Sequence, residues 1–476
     1  MTIVATTAGQ VRGRTEGATH AFRGIPYAQP PVGPLRFAAP VAHDGWDDMR
    51  DTVEFGPPPP QPGRVTPTDE WLTLNVWTPD PDASGLPVMV WIYGGRFTTG
   101  TSEEAECDGA RLAASGVVVV SFNYRLGAEG FMLIDGAVPN RGLLDQVAAL
   151  QWVHDNIAGF GGDPNNVTVF GQSAGAASVV SLMVMPAAAG LFHRGIAESV
   201  PAFLFGADLA ADIAAVVAGR VGRRPTVTDL SQVDPRQLAD ALADIAFQER
   251  WGYGLEVRHS QFGPTVDGTI LPDSPFRAFA DGAGRKIDLL IGHNRDEYNW
   301  AIGDAVVTAD DTERALRSLP PDGGKAYRAA YPDADHRQLY QLVCSDFVYR
   351  MPSLHLAQAH AAGGGATTHL YEFRFGPSPV GAAHTTEIPL VFGTLDSPVG
   401  LELYGSSREA DTVSREMSDA WRSFAATGDP AWPAYDPVEQ LTRVFDTESR
   451  TVRYPEQASQ QIWADYPFEP FRLTER

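Results

Sequence analysis

The sequence predicts an α/β fold: a mostly parallel central sheet flanked by helices, with a small N-terminal β region and a helical lid insertion. Three observations predict it. Apolar runs such as Val88-Met89-Val90-Trp91-Ile92-Tyr93 and Val117-Val118-Val119-Val120-Ser121-Phe122 are continuous rather than alternating. Strands that read this way are buried on both faces, as in parallel sheets. Helical stretches separate such runs, and strand–helix–strand alternation builds a parallel sheet through crossovers. Finally, Gly171-Gln172-Ser173-Ala174-Gly175 joins the β-branched run 166–170 to an Ala/Val/Leu-rich stretch that stops at Pro186.

In chain order, residues 1–80 read as the small β region, with Pro/Gly turns such as Ile25-Pro26 and a rigid Pro57-Pro58-Pro59-Pro60 loop. Leu72, Leu74, Val76 and Trp77 form a strand ending at Pro79. The run 88–93 closes on Gly94-Gly95, and Asp108 to Ala114 has the composition of a short crossover helix before the run 117–122. Val147, Leu150, Val153 and Ile157 share one helical face, and the helix stops at Gly161-Gly162-Asp163-Pro164. Residues 203–285, mostly helical and Ala-rich, read as a lid, and 300–365 as a further helical cap segment. Ile287-Asp288-Leu289-Leu290-Ile291-Gly292 and His369 to Phe375 are strands, and Val413 to Ala426 is a helix. No linker is long or polar enough to cut the chain, so residues 1–476 are expected to form a single domain.

The net charge of −23 opposes binding to nucleic acid and to anionic membrane surfaces. No apolar stretch reaches the roughly 18 residues of a membrane span, and Met1 to Gly13 reads as a strand and turn rather than a signal peptide. The two cysteines, Cys107 and Cys344, are far apart, which points to a reducing, cytoplasmic compartment. Without secretion, Asn166-Val167-Thr168 is strand sequence rather than a glycosylation acceptor.

A Ser at a sharp strand-to-helix turn is thrust into the open, and the flanking glycines avoid clashes there. Gly-x-Ser-x-Gly alone is a weak pattern; its context makes Ser173 a candidate nucleophile. Such a Ser needs a base, and the base needs an orienting acid. Asp296 and Glu297 both follow the 287–292 strand and stand as the candidate acids. His384, on a Gly-flanked loop soon after the 369–375 strand, is the candidate base; His355 and His360 lie at helical spacing and read as helix residues. An oxyanion needs preorganised N–H donors. Ala174, opening the helix after Ser173, and the Gly94-Gly95-Arg96 turn can supply them.

With these residues in view, the chain resembles the type B carboxylesterases, the family of para-nitrobenzyl esterases and cholinesterases. The resemblance covers nearly the whole length. It runs through Phe22-Arg23-Gly24-Ile25-Pro26-Tyr27-Ala28, Leu74-Asn75-Val76-Trp77, Trp91-Ile92-Tyr93-Gly94-Gly95, Asn123-Tyr124-Arg125-Leu126-Gly127 and Gly142-Leu143-Leu144-Asp145-Gln146. Its most specific block runs from Asn156-Ile157-Ala158 through Gly161-Gly162-Asp163-Pro164 to Gln172-Ser173-Ala174-Gly175. The resemblance implies an α/β-hydrolase fold and hydrolysis of small-molecule carboxylic esters with neither metal nor organic cofactor. It implies Ser173 as nucleophile, His384 as base and, within Asn294-Arg295-Asp296-Glu297, Glu297 as acid. It also implies Gly95, Arg96 and Ala174 as oxyanion donors through their N–H groups, and Ser199 as a residue supporting the triad histidine.

The chain departs from that family at four positions. Arg96 stands where a third Gly is usual, and Glu129 where an aromatic is usual; a charge near a dry pocket needs a partner, so the two are expected to pair. A free Arg96 would instead read an acidic or strongly polar acyl group. Gln172 replaces the Glu that many relatives carry before the nucleophile, which weakens any case for choline-like cations. Trp71 occupies a position that secreted relatives use for a disulfide cysteine. These departures leave a specialised hydrolase of a carbamate, lactone or acidic acyl ester as a rival reading. A non-catalytic binding protein is the rival of another class; such relatives lose the nucleophile or base, whereas this chain keeps Ser173, His384 and Glu297.

Overall fold

The computed structural model describes residues 1–243 and 245–474. A 13-stranded sheet runs through the molecule. Its first strands are β1 (Thr2–Thr6), β2 (Gly9–Glu16), β3 (Thr19–Pro26), the short β4 (Arg50–Asp51), β5 (Thr73–Thr78), β6 (Leu86–Ile92) and β7 (Val118–Phe122). Then follow β8 (Gly162–Gln172), β9 (Arg194–Glu198), β10 (Asp288–Asn294), β11 (Thr368–Phe373), β12 (Leu441–Phe445) and β13 (Arg450–Arg453). The spatial order is β1-β2-β3-β5-β7-β6-β8-β9-β10-β11-β12-β13, with β4 beside β2. Every pairing from β7 to β12 is parallel, and the flanking pairings from β1 to β7 and from β12 to β13 are antiparallel. The chain belongs to the α/β-hydrolase architecture, a large mixed sheet flanked by helices.

The continuous apolar runs behave as their composition requires. All of β5 and β7 and the last five residues of β6 are buried. Helices Arg141–Asn156, Ala174–Leu182 and Arg408–Thr427 cover the sheet, and the last presents Val413, Met417, Trp421 and Phe424 inward at helical spacing. Asn166 and Thr168 lie inside β8, with Thr168 fully buried. His360 is a buried residue of the helix Met351–Gly363, bonded through Nδ1 to Thr368 Oγ1 at 2.8 Å.

Strand order reverses at β6: the chain leaves it for β7 on one side and returns to β8 on the other. At such a switch point the loops beyond the carboxyl ends diverge and leave a crevice. The turn after β6 and the turn after β8 border it. Segments between β9 and β10, including helices Ala207–Arg220 and Tyr253–Val257, and between β10 and β11, including Ala309–Ser318 and His336–Ser345, are inserted into the strand sequence. No helix among the described residues is long and apolar enough to cross a membrane.

Beyond β7 the chain is pinned by a buried ion pair. Arg125 holds Asp145 through Nη2–Oδ1 at 2.7 Å and Nε–Oδ2 at 2.8 Å, and Asp145 also accepts the Arg125 N–H at 2.9 Å. Their side chains are 1% and 0% exposed. Breaking such a pair strands a charge in a dry interior, which costs about 3–5 kcal/mol. Asp145→Asn is therefore expected to lower the stability by that amount, read as a drop in urea midpoint at unchanged slope.

Candidate active site

The turn after β8 places Ser173 at φ 57°, ψ −120°, a left-handed conformation that non-glycine residues rarely adopt. A Cβ on Gly175 would stand 1.9 Å from the Ile92 carbonyl oxygen, and one on Gly171 would stand 2.7 Å from the same oxygen. Glycine alone lets the turn close against the end of β6. The Ser173 N–H donates to the Glu198 carbonyl at 2.9 Å and its carbonyl accepts from Ala177, so the strained residue is held from both sides.

The turns after β10 and β11 bring an acid and an imidazole to the same place. His384 Nδ1 lies 2.7 Å from Glu297 Oε2, and the His384 N–H donates to the Glu297 carbonyl at 3.1 Å. Glu297 Oε1 accepts the Asn294 N–H at 2.9 Å. Asp296, the other candidate acid, pairs with Arg295 at 2.8 Å and holds the 381–384 loop by accepting the Ala382 N–H at 3.1 Å. The Gln172 amide nitrogen stands 3.3 Å from both ring nitrogens of His384. Tyr349 packs on the imidazole with ring centroids 4.1 Å apart, and Trp300 lies at 6.0 Å. Ser173 and His384 line one cavity of about 210 Å³ together with Gly95, Arg96, Thr99, Gln172, Trp300, Tyr349 and Thr385. Among the described residues Ser173 Oγ makes no hydrogen bond of its own, so its bond to His384 is not formed in this geometry.

The N–H groups of Gly95, Arg96 and Ala174 have no acceptor among the described residues. The Gly95 carbonyl takes up the Thr98 and Thr99 N–H groups, each at 3.0 Å, which closes the turn and leaves its own donors pointing away. Gly95 and Arg96 have φ of 99° and 59°. Unpaired N–H groups bordering a cavity that holds a serine are what a developing oxyanion requires.

One expectation fails. Glu129 does not pair with Arg96. It is buried on the short helix Gly127–Phe131 and binds Arg36, Nη2–Oε1 at 2.6 Å, while Arg36 Nη1 also donates to the Val233 carbonyl at 2.5 Å. Arg36 is itself buried, so each charge compensates the other in a place that Arg96, exposed on its turn, does not enter. The Ser199 hydroxyl is buried without a hydrogen-bond partner, and its N–H donates to the Gly292 carbonyl at 2.8 Å.

Sequence reasoning passed over the acids behind the imidazole. Asn294 Nδ2 bridges the Ala383 carbonyl at 2.6 Å and Glu387 Oε2 at 2.5 Å. Burial first, then Glu198 and Glu297, hold the Glu387 carboxyl well above its ordinary range. It lies three residues past His384. Tyr349 was also passed over; it sits in a single π-helical turn, Asp346–Arg350, and such turns re-aim side chains at functional sites.

Glu198 ties the elbow to this acid group. It receives Trp421 Nε1 at 2.9 Å on Oε1, its Oε2 has no partner, and burial raises it from 4.5 to about 8. The folded chain keeps a proton there that the unfolded chain releases above its ordinary value. The stabilisation is complete at low pH and is lost as pH rises between about 4.5 and about 8, at no more than about 1.4 kcal/mol per pH unit. Glu198→Gln is expected to flatten that decline, read by urea unfolding across the window. Glu387 acts with the same sign, so a residual slope remains.

The carboxylesterase family profile matches residues 1–463. Para-nitrobenzyl esterase of Bacillus subtilis is 37% identical over 488 residues, covering 96% of this chain and 98% of the relative. Phenmedipham hydrolase of Pseudarthrobacter oxydans is 32% identical, covering 94% and 96%. Among solved structures, a para-nitrobenzyl esterase superposes with a TM-score of 0.86 at 37% identity, over 96% of this chain and 98% of the other. A Geobacillus stearothermophilus carboxylesterase gives 0.87 at 34% identity, over 97% and 100%. With the elbow, the Glu–His pair and the unpaired N–H groups at the ends of its parallel strands, the chain belongs to the carboxylesterase family and is a carboxylic ester hydrolase.

Proposed function

We propose that the chain hydrolyses small-molecule carboxylic esters through an acyl-enzyme on Ser173, with His384 as general base and Glu297 as its orienting acid. The observation that carries this reading is the 2.7 Å contact of Glu297 Oε2 with His384 Nδ1, beside a serine held at positive φ in the same cavity. Glu297 on Nδ1 fixes the tautomer, so Nε2 is the atom free to accept a proton.

As the ester carbonyl enters, Ser173 Oγ turns towards His384 Nε2; nucleophile–base bonds that are open in the empty site commonly close with substrate. His384 takes the hydroxyl proton while Oγ bonds to the carbonyl carbon. The N–H groups of Gly95, Arg96 and Ala174 hold the oxyanion, helped by the helix that begins at Ala174. The tetrahedral intermediate collapses, His384 passes its proton to the leaving alcohol oxygen, and Ser173 is left as an ester. Water repeats the sequence: His384 deprotonates it as its oxygen bonds to the acyl carbon, the carbon–Oγ bond breaks to release the carboxylic acid, and His384 returns the proton to Ser173 Oγ. Throughout, Glu297 stabilises the imidazolium. Tyr349 and Gln172 limit the ring's movement from two sides. Buried, unbonded Cys107 and Cys344 suit a reducing cytoplasm.

Ser173→Ala is expected to abolish hydrolysis of p-nitrophenyl acetate and labelling by a fluorophosphonate while circular dichroism is unchanged. Glu297→Gln, which keeps the shape but misplaces the tautomer, should lower kcat by roughly 10³–10⁴-fold. Turnover near the wild-type rate in Ser173→Ala would remove the nucleophile assignment.

A further inference from the structure

We propose that the Arg96 side chain makes this cleft an anion-reading one, receiving a carboxylate carried by the ester itself, so that the preferred substrates are short esters bearing a second, ionised acid group. The inference rests on the reading of Ser173 as nucleophile.

Arg96 borders the cavity that holds Ser173 and His384. Its guanidinium has one hydrogen bond, Nη1 to the His259 carbonyl at a long 3.4 Å, and no acidic partner among the described residues. The chain has 59 acidic against 36 basic side chains, so acids outnumber the bases they could pair with. The acids of the surrounding elements are already engaged. Glu297 holds His384, Glu256 holds Arg314 at 2.7 Å, and Glu129 holds Arg36 at 2.6 Å.

A second cation, Arg258, precedes the residue whose carbonyl Arg96 binds. Arg258 is buried, donates only to the carbonyls of Ser260 at 3.4 Å and Phe262 at 3.1 Å, and lies 5.1 Å over the Phe205 ring. Its Nε has no partner. Burial lowers it to about 9, which leaves it charged at neutral pH. Arg96 and Arg258 both bear on Tyr349, the ring packed against His384. A chain of net charge −23 thus places a guanidinium without an acidic partner on the wall of this cavity. Uncompensated guanidinium groups at a cavity wall select anionic ligands, and the planar fork of arginine matches a carboxylate.

The Ser260 hydroxyl donates to the Arg96 carbonyl at 2.8 Å and ties the turn to the 258–262 segment. Because the same residue offers its N–H to the oxyanion and its side chain to the wall, the carboxylate it reads lies only a few bonds from the scissile carbonyl. Half-esters of short dicarboxylic acids meet that condition through the acyl group; esters of carboxylated alcohols meet it through the leaving group.

The test compares matched pairs by kcat/KM. Mono-p-nitrophenyl glutarate against p-nitrophenyl valerate probes the acyl side, and meta-acetoxybenzoate against phenyl acetate probes the alcohol side. The readout is the anionic-to-neutral ratio, because any disturbance of the Arg96 N–H acts on both members of a pair. In Arg96→Gln one of the two ratios is expected to fall by about 10- to 100-fold, the usual worth of a hydrogen bond to a charged group, with Arg96→Lys intermediate. Which ratio falls identifies the side read. Inhibition of valerate-ester turnover by free glutarate should weaken in Arg96→Gln by a similar factor. Both ratios unchanged, with Ser173→Ala inactive, overturns the anion reading alone. Full neutral-ester turnover in Ser173→Ala overturns the nucleophile assignment and this inference with it.

Discussion

The site depends on one close approach of backbone to backbone, where the turn after β8 presses against the last residue of β6. At Gly175 any side chain would meet the Ile92 oxygen at 1.9 Å, far inside contact distance. Since β6 and β8 pair in parallel from Val88 with Val167 to Ile92 with Gly171, their ends stop at the same level. The oxyanion turn and the nucleophile turn therefore leave the sheet side by side. A further approach secures the arrangement: a Cβ on Gly94 would stand 2.9 Å from the Gln172 carbonyl oxygen and 3.2 Å from Ser173 Cβ. Strain at Ser173, typically about 1–3 kcal/mol for such a conformation, is sustained by this over-determined packing.

Around that point the sheet acts as a ruler. β8, β9, β10 and β11 are neighbours, and the groups that matter follow their carboxyl ends: Ser173, Ser199, Glu297 and His384. Parallel registry brings residues 211 positions apart in sequence, Ser173 and His384, to one cavity without any long-range design beyond strand order. Behind the imidazole the interior holds three carboxyl groups, Glu198, Glu297 and Glu387, of which only Glu297 faces a basic side chain. Like charges so placed cannot all ionise. Burial pushes the Glu198 and Glu387 carboxyls up, whereas Glu297 faces the imidazole.

The parts of this arrangement that the sequence declared are those where burial or backbone strain restricts residue choice. The strands at 88–92, 118–122 and 167–170 are buried on both faces, and runs dominated by apolar residues satisfy that. The elbow shows because two glycines are sterically required. By contrast β9, Arg194–Glu198, opens and closes on charged residues and carries Gly195, so no run announces it. The edge pair β12 and β13 reads as polar sequence for a similar reason. The expected Arg96–Glu129 pair failed because a motif records which residues are unusual but not which way they face. Arg36, on an N-terminal loop with no recognisable chemistry, reaches Glu129 from the far side. Glu387 was hidden by a different limit: a carboxyl becomes a neutral acid only through what surrounds it, and its surroundings come from three separate strands.

Arg96 shows how one position can serve two purposes that the backbone keeps apart. An oxyanion donor is an N–H, which every residue but proline carries, so the chemistry at that turn does not require glycine. What glycine supplies there is ease at positive φ, and an arginine at φ 59° gives that up. The cost is repeated in Phe97, which follows at φ 62° and is fully buried, anchoring the turn through its ring against Phe131 at 4.6 Å. A turn held so firmly does not need glycine's freedom, and it gives the side chain it carries a defined direction. In the reading proposed above, the Arg96 N–H serves the oxyanion while its side chain, exposed on the same turn, meets the substrate's carboxylate. On that proposal charge selection and transition-state stabilisation share one turn, so a substrate that satisfies the first would be placed for the second.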